Sequence, residues 1–266
     1  MMTATNPAFP GTARIRIGPA DIDVLTIDET VGHIIDASVA GRGGYVMTHN
    51  LDHLWLRKNR PDFDRVSDAA DLVVADGQPL VWISKVQGTP LPERVGGIDM
   101  FEHLAGRAAE ADRSLFLVGG QGNAAADAAA ILVDRHPGLQ IAGAFSPPMG
   151  LAGDEARLNE LVEQVAAARP DIIAVGLPSM LQTDLAERFG AVLPTAWVLG
   201  VGVSFSFVTG EVSRAPRWVQ RAGLEWIHRM LQQPDLVRRY LVHDAPLALK
   251  LLARAAITRI RPGAAS

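Results

Sequence analysis

Three short polar stretches hold the residues of this chain best suited to chemistry: Thr48-His49-Asn50, Ala75-Asp76-Gly77 and Glu93-Arg94-Val95-Gly96-Gly97. The first two follow the apolar runs Tyr45-Val46-Met47 and Leu72-Val73-Val74, so each sits where a buried strand would end. In an open α/β sheet the ligand crevice lies outside the carboxyl ends of the strands. A carboxylate there, Asp76, could take a proton from an attacking hydroxyl, and Thr48 and Asn50 could hydrogen-bond a sugar or a phosphate. The same residue types also begin helices. Asp76 before Gln78, and Thr48 or Asn50 before Leu51, would serve equally well as caps.

A fourth stretch, Val118-Gly119-Gly120-Gln121-Gly122-Asn123, joins an apolar run to an alanine-rich one, so the backbone around Gly119 and Gly120 could cradle a phosphate at a helix start. Gly120, Gly122 and Ala125 even match a dinucleotide loop of the G-x-G-x-x-A form. The ribose-binding acid expected about twenty residues on is missing, since the next run ends Ala144-Phe145-Ser146. A nicotinamide cofactor loses ground by that; a nucleotide does not. His49 and His53 stand four apart beside Asp52 without an apparent third metal ligand. Asp62-Phe63-Asp64 mimics the D-x-D of metal-dependent glycosyltransferases, but after Pro61 it reads more simply as a solvated first helical turn. With no cysteine in the chain, thiolate metal sites, disulfides and cysteine nucleophiles are excluded. The expectation is a site without metal or resident cofactor.

The elements that must position these groups alternate. Strand-like runs cover 45–48, 72–75, 114–119, 139–145, 171–177 and 195–201, and helical patterns cover 51–70, 78–87, 98–112, 123–136, 154–169 and 182–192. Continuous apolar strands such as Ile172-Ile173-Ala174-Val175 are buried on both faces, so the pattern predicts an α/β fold with a Rossmann-like, doubly wound, mainly parallel sheet. Residues 14–26 suggest a further hairpin at the sheet edge. After Gly210 the pattern is helical only, over 216–231 and 235–260 with Pro234 and Pro246 as interruptions, which divides the chain into a core of residues 1–213 and a helical C-terminal appendage of residues 214–266.

The 266 residues, 48% of them hydrophobic and 20% charged, suffice for a full α/β core. Residues 1–19 have no continuous apolar stretch of the signal-peptide kind, and 196–208 is too short and too broken by Gly and Ser to span a bilayer, so a cytoplasmic location is expected. The net charge of −4 is uneven: residues 214–261 hold ten Lys and Arg against three Asp and Glu, a charge of +7, which leaves −11 elsewhere. A basic end on an acidic body points to an anionic partner such as a phosphate or a lipid headgroup. Nucleic acid is disfavoured because the body is acidic and no aromatic-basic motif is present. In the last segment Lys250, Arg254 and Arg261 share one helical face opposite leucines. Such a helix could lie in a membrane interface or pack on the body or on another subunit, which leaves a homo-oligomer open. Most arginines on helices are solvated or paired, and Arg221 and Arg229 each stand four residues from Glu225.

The order of these motifs resembles the WecG/TagA/CpsF glycosyltransferases, glycosyltransferase family 26. The resemblance runs from Gly43 to Tyr240 through Thr48-x-Asn50, Ala75-Asp76-Gly77, Pro92-Glu93-Arg94-Val95-x-Gly97, Val118-Gly119-Gly120, Pro170-Asp171-Ile172, Gly200-Val201-Gly202, Arg214-Ala215-Pro216, Leu224-Glu225-Trp226 and Arg239-Tyr240. It implies a Rossmann-like core with an appendage that helps complete the site at the inner face of the cell membrane. It also implies transfer of a sugar from a UDP-sugar to a polyprenyl-diphosphate-linked acceptor, with inversion and without a metal, in cell-surface polysaccharide or glycolipid assembly. By the resemblance, Asp76 matches the proposed catalytic base, Thr48 and Asn50 match pocket residues, Gln182 matches a glutamine of the G-x-P-K-Q-E segment, and Arg229 and Arg239 match arginines that hold the diphosphate.

Three departures stand out: Leu181 and Thr183 flank Gln182 in place of Lys and Glu, Ser206 replaces an aspartate between two phenylalanines, and Leu236 replaces an arginine after Pro234. Two other readings compete with a UDP-sugar-dependent transferase. One is a nicotinamide-dependent dehydrogenase resting on the Gly120 loop; the other is a weakened family member that scaffolds a membrane assembly.

Overall fold

The structure, a computed structural model, describes residues 4–216, 218–219, 225–232 and 236–260; of residues 4, 5, 229, 236 and 260 it describes the backbone alone. Six strands form the main sheet: β4 (Gly44–His49), β5 (Leu72–Ala75), β6 (Ser114–Gly119), β7 (Gln140–Phe145), β8 (Ile172–Gly176) and β9 (Trp197–Gly200), in the order β5-β4-β9-β8-β6-β7. Every neighbouring pair is parallel. All six strands were legible as largely apolar runs; the five other than the edge strand β7 are buried along most of their length, which leaves them no polar side.

The alternation of side chains along the strands divides the core in two. Met47, Val73, Val118, Ile173 and Val198 face one apolar cluster, and Val46, Leu72, Leu117, Ala174 and Leu199 face the other. The first is closed by α2 (Leu51–Asn59), α3 (Pro61–Asp68), α4 (Gln78–Gln87), α7 (Glu155–Ala168) and α8 (Ser179–Val192), through residues such as Leu54, Phe63, Leu80, Leu161 and Phe189. The second is closed by α1 (Ile27–Val39), α5 (Gly97–Glu110), α6 (Ala124–Arg135) and α9 (Ser204–Val208), through Ile34, Phe101, Leu132 and Phe205. The sheet is therefore doubly wound, as the sequence pattern predicts.

Local chemistry fixes the helix ends. Thr26 and Glu29 form a reciprocal capping box at the start of α1, and Gly88, left-handed at φ 86°, ends α4. The single helix expected over 51–70 is two. Pro61 has no N–H to continue α2 and forces Arg60 into extended backbone, and it then serves as the first residue of α3. Helix α8 begins at Ser179, three residues before the expected 182, directly after Pro178.

The hairpin expected at the sheet edge forms, from β2 (Ala13–Ile17) and β3 (Ala20–Asp23), but it is not part of the main sheet. With β1 (Ala4–Thr5) it makes a separate antiparallel sheet. Its link to the body is the buried carboxylate of Asp23, which accepts from Asn6 Nδ2 at 3.0 Å, Arg14 Nε at 2.7 Å and the backbone N–H of Val73 at 2.8 Å. That last bond satisfies an outward N–H of the edge strand β5, which would otherwise be open to strand pairing.

The C-terminal helices are α10 (Glu225–Gln232), α11 (Leu236–Arg239) and α12 (Ala245–Ile260), with a π-helical turn at Tyr240–Asp244 between the last two. Pro246 does not interrupt the chain as expected. It lies in the first turn of α12, where a missing N–H costs least, and the wider turn before it takes up the change in bonding. Helix α12 packs on α4 with Leu251 and Ala255 buried in the first core cluster, so the helix faces the body. Lys250 and Arg254 are exposed. No helix among the described residues is long and apolar enough to cross a membrane.

The Asp23 linkage yields a test. Removing a buried carboxylate takes from Arg14 its ion-pair partner and from the Val73 N–H its acceptor, which typically costs about 3–5 kcal/mol. Asp23→Ala should lose stability of that order in chemical denaturation. A loss below about 1 kcal/mol would show that the hairpin is not anchored this way.

Candidate active site

Because the strands are parallel, the carboxyl ends of β4, β5, β6, β8 and β9 open on one edge, and there they border a cleft of about 1130 Å³. Thr48, Asn50, Asp76, Gly120, Gln182 and Arg239 all line it. Gly119 stands behind the lining. The side chain of Arg229 lies outside the described residues, as do Arg221 and Arg261.

Asp76 follows the last residue of β5, and its N–H is held by the carbonyl of His49 at 2.7 Å, so the two strand ends fix its backbone. The stretch Glu93 to Gly97 then wraps around it. Glu93 accepts from Ile27 N–H at 2.7 Å and so caps α1 from outside. Val95 N–H donates to Ala75 at 2.8 Å and holds the stretch against the end of β5. Gly96 leaves room for the Arg94 guanidinium, whose Nη1 would be 2.8 Å from any Cβ at that position.

Arg94 is the centre of charge in the cleft. Its Nη2 pairs with Asp99 at 2.7 Å, and its Nη1 lies 2.9 Å from Glu225 and 3.6 Å from Asp76. Asp99 also pairs with Arg214. Burial works against the charge of Arg94, but Asp76, Glu225, Asp99 and Glu93 outweigh it and raise its pKa further. Neither Arg94, within the stretch Glu93 to Gly97, nor Asp99, two residues past it, shows its role in the sequence. The available signal was an arginine between a strand-end carboxylate and two glycines. The pairing of Glu225 could not be read locally, since i±4 spacing pointed to Arg221 and Arg229 and the partner is more than a hundred residues away in the chain.

The other lining residues divide by role. Asn50 caps α2, its Oδ1 accepting from His53 N–H at 3.0 Å, whereas Thr48 is no cap and donates its hydroxyl to Gly200 O at 3.3 Å. Gln182 donates to the carbonyl of Leu177, and its Oε1 packs so closely on Gly200 that a Cβ there would overlap it. Gly119 and Gly120 have φ values of +130° and +72° and lie against Gly176 and Ala124, with no space for a side chain. At the start of α6, Ser146 occupies the position where a dinucleotide site needs an acid; its hydroxyl accepts from Ala125 N–H at 3.1 Å and donates to Gly119 O at 2.8 Å.

His53 reaches the cleft with Nε2 2.8 Å from Ser179 Oγ, and its ring stands edge-on to that of His49 at 5.9 Å. Burial lowers the His53 pKa to about 4 and that of His49 well below its ordinary value, so both are neutral at pH 7. No group of three or more His, Asp or Glu suited to a metal converges among the described residues. Asp62 and Asp64 lie on α3 outside the cleft and pair with Arg60 at 3.0 Å and Arg57 at 2.7 Å, the helix-start role that competed with a D-x-D. Of the departures, Leu181 and Thr183 are both buried; Leu181 also borders the cleft, as Ser206 does, while Thr183 does not. The side chain of Leu236 lies outside the described residues.

Arg239 enters from the C-terminal side. It lies 3.7 Å from Asp52 and 3.8 Å from Asp244, with its guanidinium 4.9 Å from the centre of the Tyr240 ring. Asp244 is buried at the end of the π turn. Burial raises its pKa to about 6, with Arg239 pulling the other way and Asp52 adding to the rise. A raised folded-state pKa means that the folded protein holds this proton more tightly than the unfolded chain. The stability this contributes is complete below the unfolded value of 3.8 and is lost as pH rises through 6. Asp244→Asn, which keeps the shape and removes the charge, should shrink the fall in melting temperature between about pH 4 and pH 7. An undiminished fall would mean that Asp244 does not titrate from this buried position.

Comparison with known proteins bears on this arrangement. The model of the glycosyl transferase WecG/TagA/CpsF family matches residues 15–261. An N-acetylglucosaminyldiphosphoundecaprenol N-acetyl-beta-D-mannosaminyltransferase from Bacillus spizizenii (strain W23) is 30% identical over 200 residues, 75% of this chain and 76% of the relative. A protein of the same description from Bacillus subtilis (strain 168) is 28% identical over 215 residues, 81% of this chain and 80% of the relative. The match spans the sheet, the cleft and the C-terminal helices together, and the chain belongs to the WecG/TagA/CpsF family of glycosyltransferases.

Proposed function

We propose that this glycosyltransferase moves a hexosyl residue, of the N-acetylhexosamine class, from a UDP-sugar to a sugar carried on a polyprenyl diphosphate, by a single inverting displacement that needs no metal. The observation that carries the reading is Asp76, a carboxylate held at a strand end in a cleft that Arg94, Arg214 and Arg239 also line, with Arg94 3.6 Å from it. The descriptions of both relatives support the lipid-diphosphate acceptor and the amino-sugar donor.

In this reading the acceptor hydroxyl attacks the anomeric carbon while its proton passes to Asp76. The bond from that carbon to the donor diphosphate breaks on the opposite face, and the electron pair leaves with UDP. The energetic requirement is to stabilise the negative charge growing on the leaving oxygen. Arg239 and Arg214 line the cleft with guanidinium forks suited to phosphate oxygens, and the Gly120 loop presents backbone at the start of α6. Thr48, Asn50 and Gln182 would shape the sugar pocket. We place the enzyme at the cytoplasmic face of the membrane, with exposed Lys250 and Arg254 toward anionic headgroups, each contributing about 1 kcal/mol near such a surface.

Asp76→Asn should keep the fold and lose about 10²- to 10⁴-fold in turnover, measured with UDP-N-acetylmannosamine and a short-chain polyprenyl-diphosphate N-acetylglucosamine. Near wild-type turnover in this variant would remove Asp76 from the role of base. Activity should also persist in excess EDTA. Complete loss in chelator, restored by magnesium or manganese, would reverse the metal-independent reading.

A further inference from the structure

The Arg94 guanidinium is shared among carboxylates from separate parts of the chain. Asp76 comes from the end of β5, Asp99 from α5, Glu93 from the preceding residue, and Glu225 from the first residue of α10. The distances are unequal: 2.7 Å to Asp99, 2.9 Å to Glu225 and 3.6 Å to Asp76. A cation this close to a general base works against it, because an opposite charge within about 4–6 Å favours the ionised carboxylate and lowers its proton affinity. The nitrogen nearest Asp76, Nη1, is the one bonded to Glu225.

We propose that Glu225 is a positioning residue that sets the basicity of Asp76: from the start of α10 it holds the Arg94 Nη1 at 2.9 Å, which leaves that nitrogen 3.6 Å from the base rather than bonded to it. The inference rests on Asp76 acting as the base, and it explains why an acidic side chain from a strongly basic segment reaches into the cleft. Other contacts place the segment independently of Glu225. Arg214 pairs with Asp99, Gln232 donates to Ser213 O at 3.1 Å, and Trp226 packs on Tyr240 with ring centres 6.0 Å apart. The Gln232 bond ties α10 to the end of the core and the Trp226 contact ties it to Tyr240 of the same segment, so Glu225 can be altered without removing either. Loss of its charge frees Arg94 to settle on Asp76, and it also removes a nearby negative charge. Both effects lower the proton affinity of Asp76.

The test is the pH dependence of turnover for the full-length enzyme and its Glu225→Gln, Glu225→Asp, Arg94→Gln and double Arg94→Gln/Glu225→Gln variants, with melting temperatures in parallel. Glu225→Gln should move the acidic limb of the kcat profile about one unit to lower pH and reduce the plateau about three- to ten-fold, with KM for the acceptor changed less than about two-fold. Glu225→Asp, which keeps the charge, should restore most of the wild-type limb. In the Arg94→Gln background, adding Glu225→Gln should shift the limb far less than it does alone. An unmoved limb in Glu225→Gln, or a loss confined to KM or stability, overturns the positioning role. If Glu225→Gln does not fold, Arg94→Gln is read instead: its acidic limb should move to higher pH, since a cation is removed from beside Asp76, and an unmoved limb there overturns the proposal. Failure of the base itself is read separately, from turnover retained in Asp76→Asn.

Discussion

All six strands of the main sheet run the same way, and most of what this protein can do follows from that constraint. Parallel strands cannot be joined by tight turns, so each must be followed by a crossover, and the crossovers leave every strand's carboxyl end on one edge. Thr48, Asp76, Gly120, Gly176 and Gly200 come from positions spread over more than 150 residues and meet because each lies at or just past such an end. The opposite edge is built differently. There Asp71 accepts from Tyr45 N–H and Asp171 from Ser114 N–H, both at 2.8 Å, so carboxylates tie the start of one strand to its neighbour. One edge uses its acids for order and the other holds Asp76 in a cleft.

Much of this was legible in the sequence, and the reasons are local. A strand buried on both faces must be continuously apolar, which is why β4, β5, β6, β8 and β9 could be read to within about two residues; the edge strand β7 is only half-buried and was read from its apolar Ile141 to Phe145. Thr48, Asn50 and Asp76 were legible because a polar residue after such a run has few other places to go. What was not legible depends on partners distant in sequence. Nothing near Asp23 says that its carboxylate reaches Val73, and nothing near Glu225 says that it leaves its own helix for Arg94. The hairpin was found and its sheet was not, because periodicity reports the alternation of a strand but not its neighbour. The misread helix over 51–70 has another cause: helical spacing continues through Pro61, and only the geometry proline imposes on Arg60 separates α2 from α3.

The departures from the family pattern look different once placed. Thr183 is buried in the packing face of α8, its hydroxyl bonding back to the carbonyl of Met180 at 2.8 Å, and Leu181 is buried at the border of the cleft. The Gln182 amide between them is still held by Leu177 and Gly200. Changes of residue type beside Gln182 thus alter what surrounds that side chain without releasing it. Ser206 stands on the cleft wall, where a shorter uncharged group leaves more room and less negative charge than an aspartate would.

The π turn at Tyr240–Asp244 has a consequence for the length of the chain. Each residue of an α-helix advances the direction of its side chains by about 100° around the axis. The wider turn holds one residue more than an α-turn, so it sets the rotational phase of everything after it. Leu251 and Ala255 face the core, and Lys250 and Arg254 face outward, in that phase alone. Losing one residue within the turn would leave a regular helix behind and rotate its far half by roughly a quarter turn. The protein thus meters the orientation of its C-terminal face by counting residues, at the same turn that brings Asp244 to the cleft.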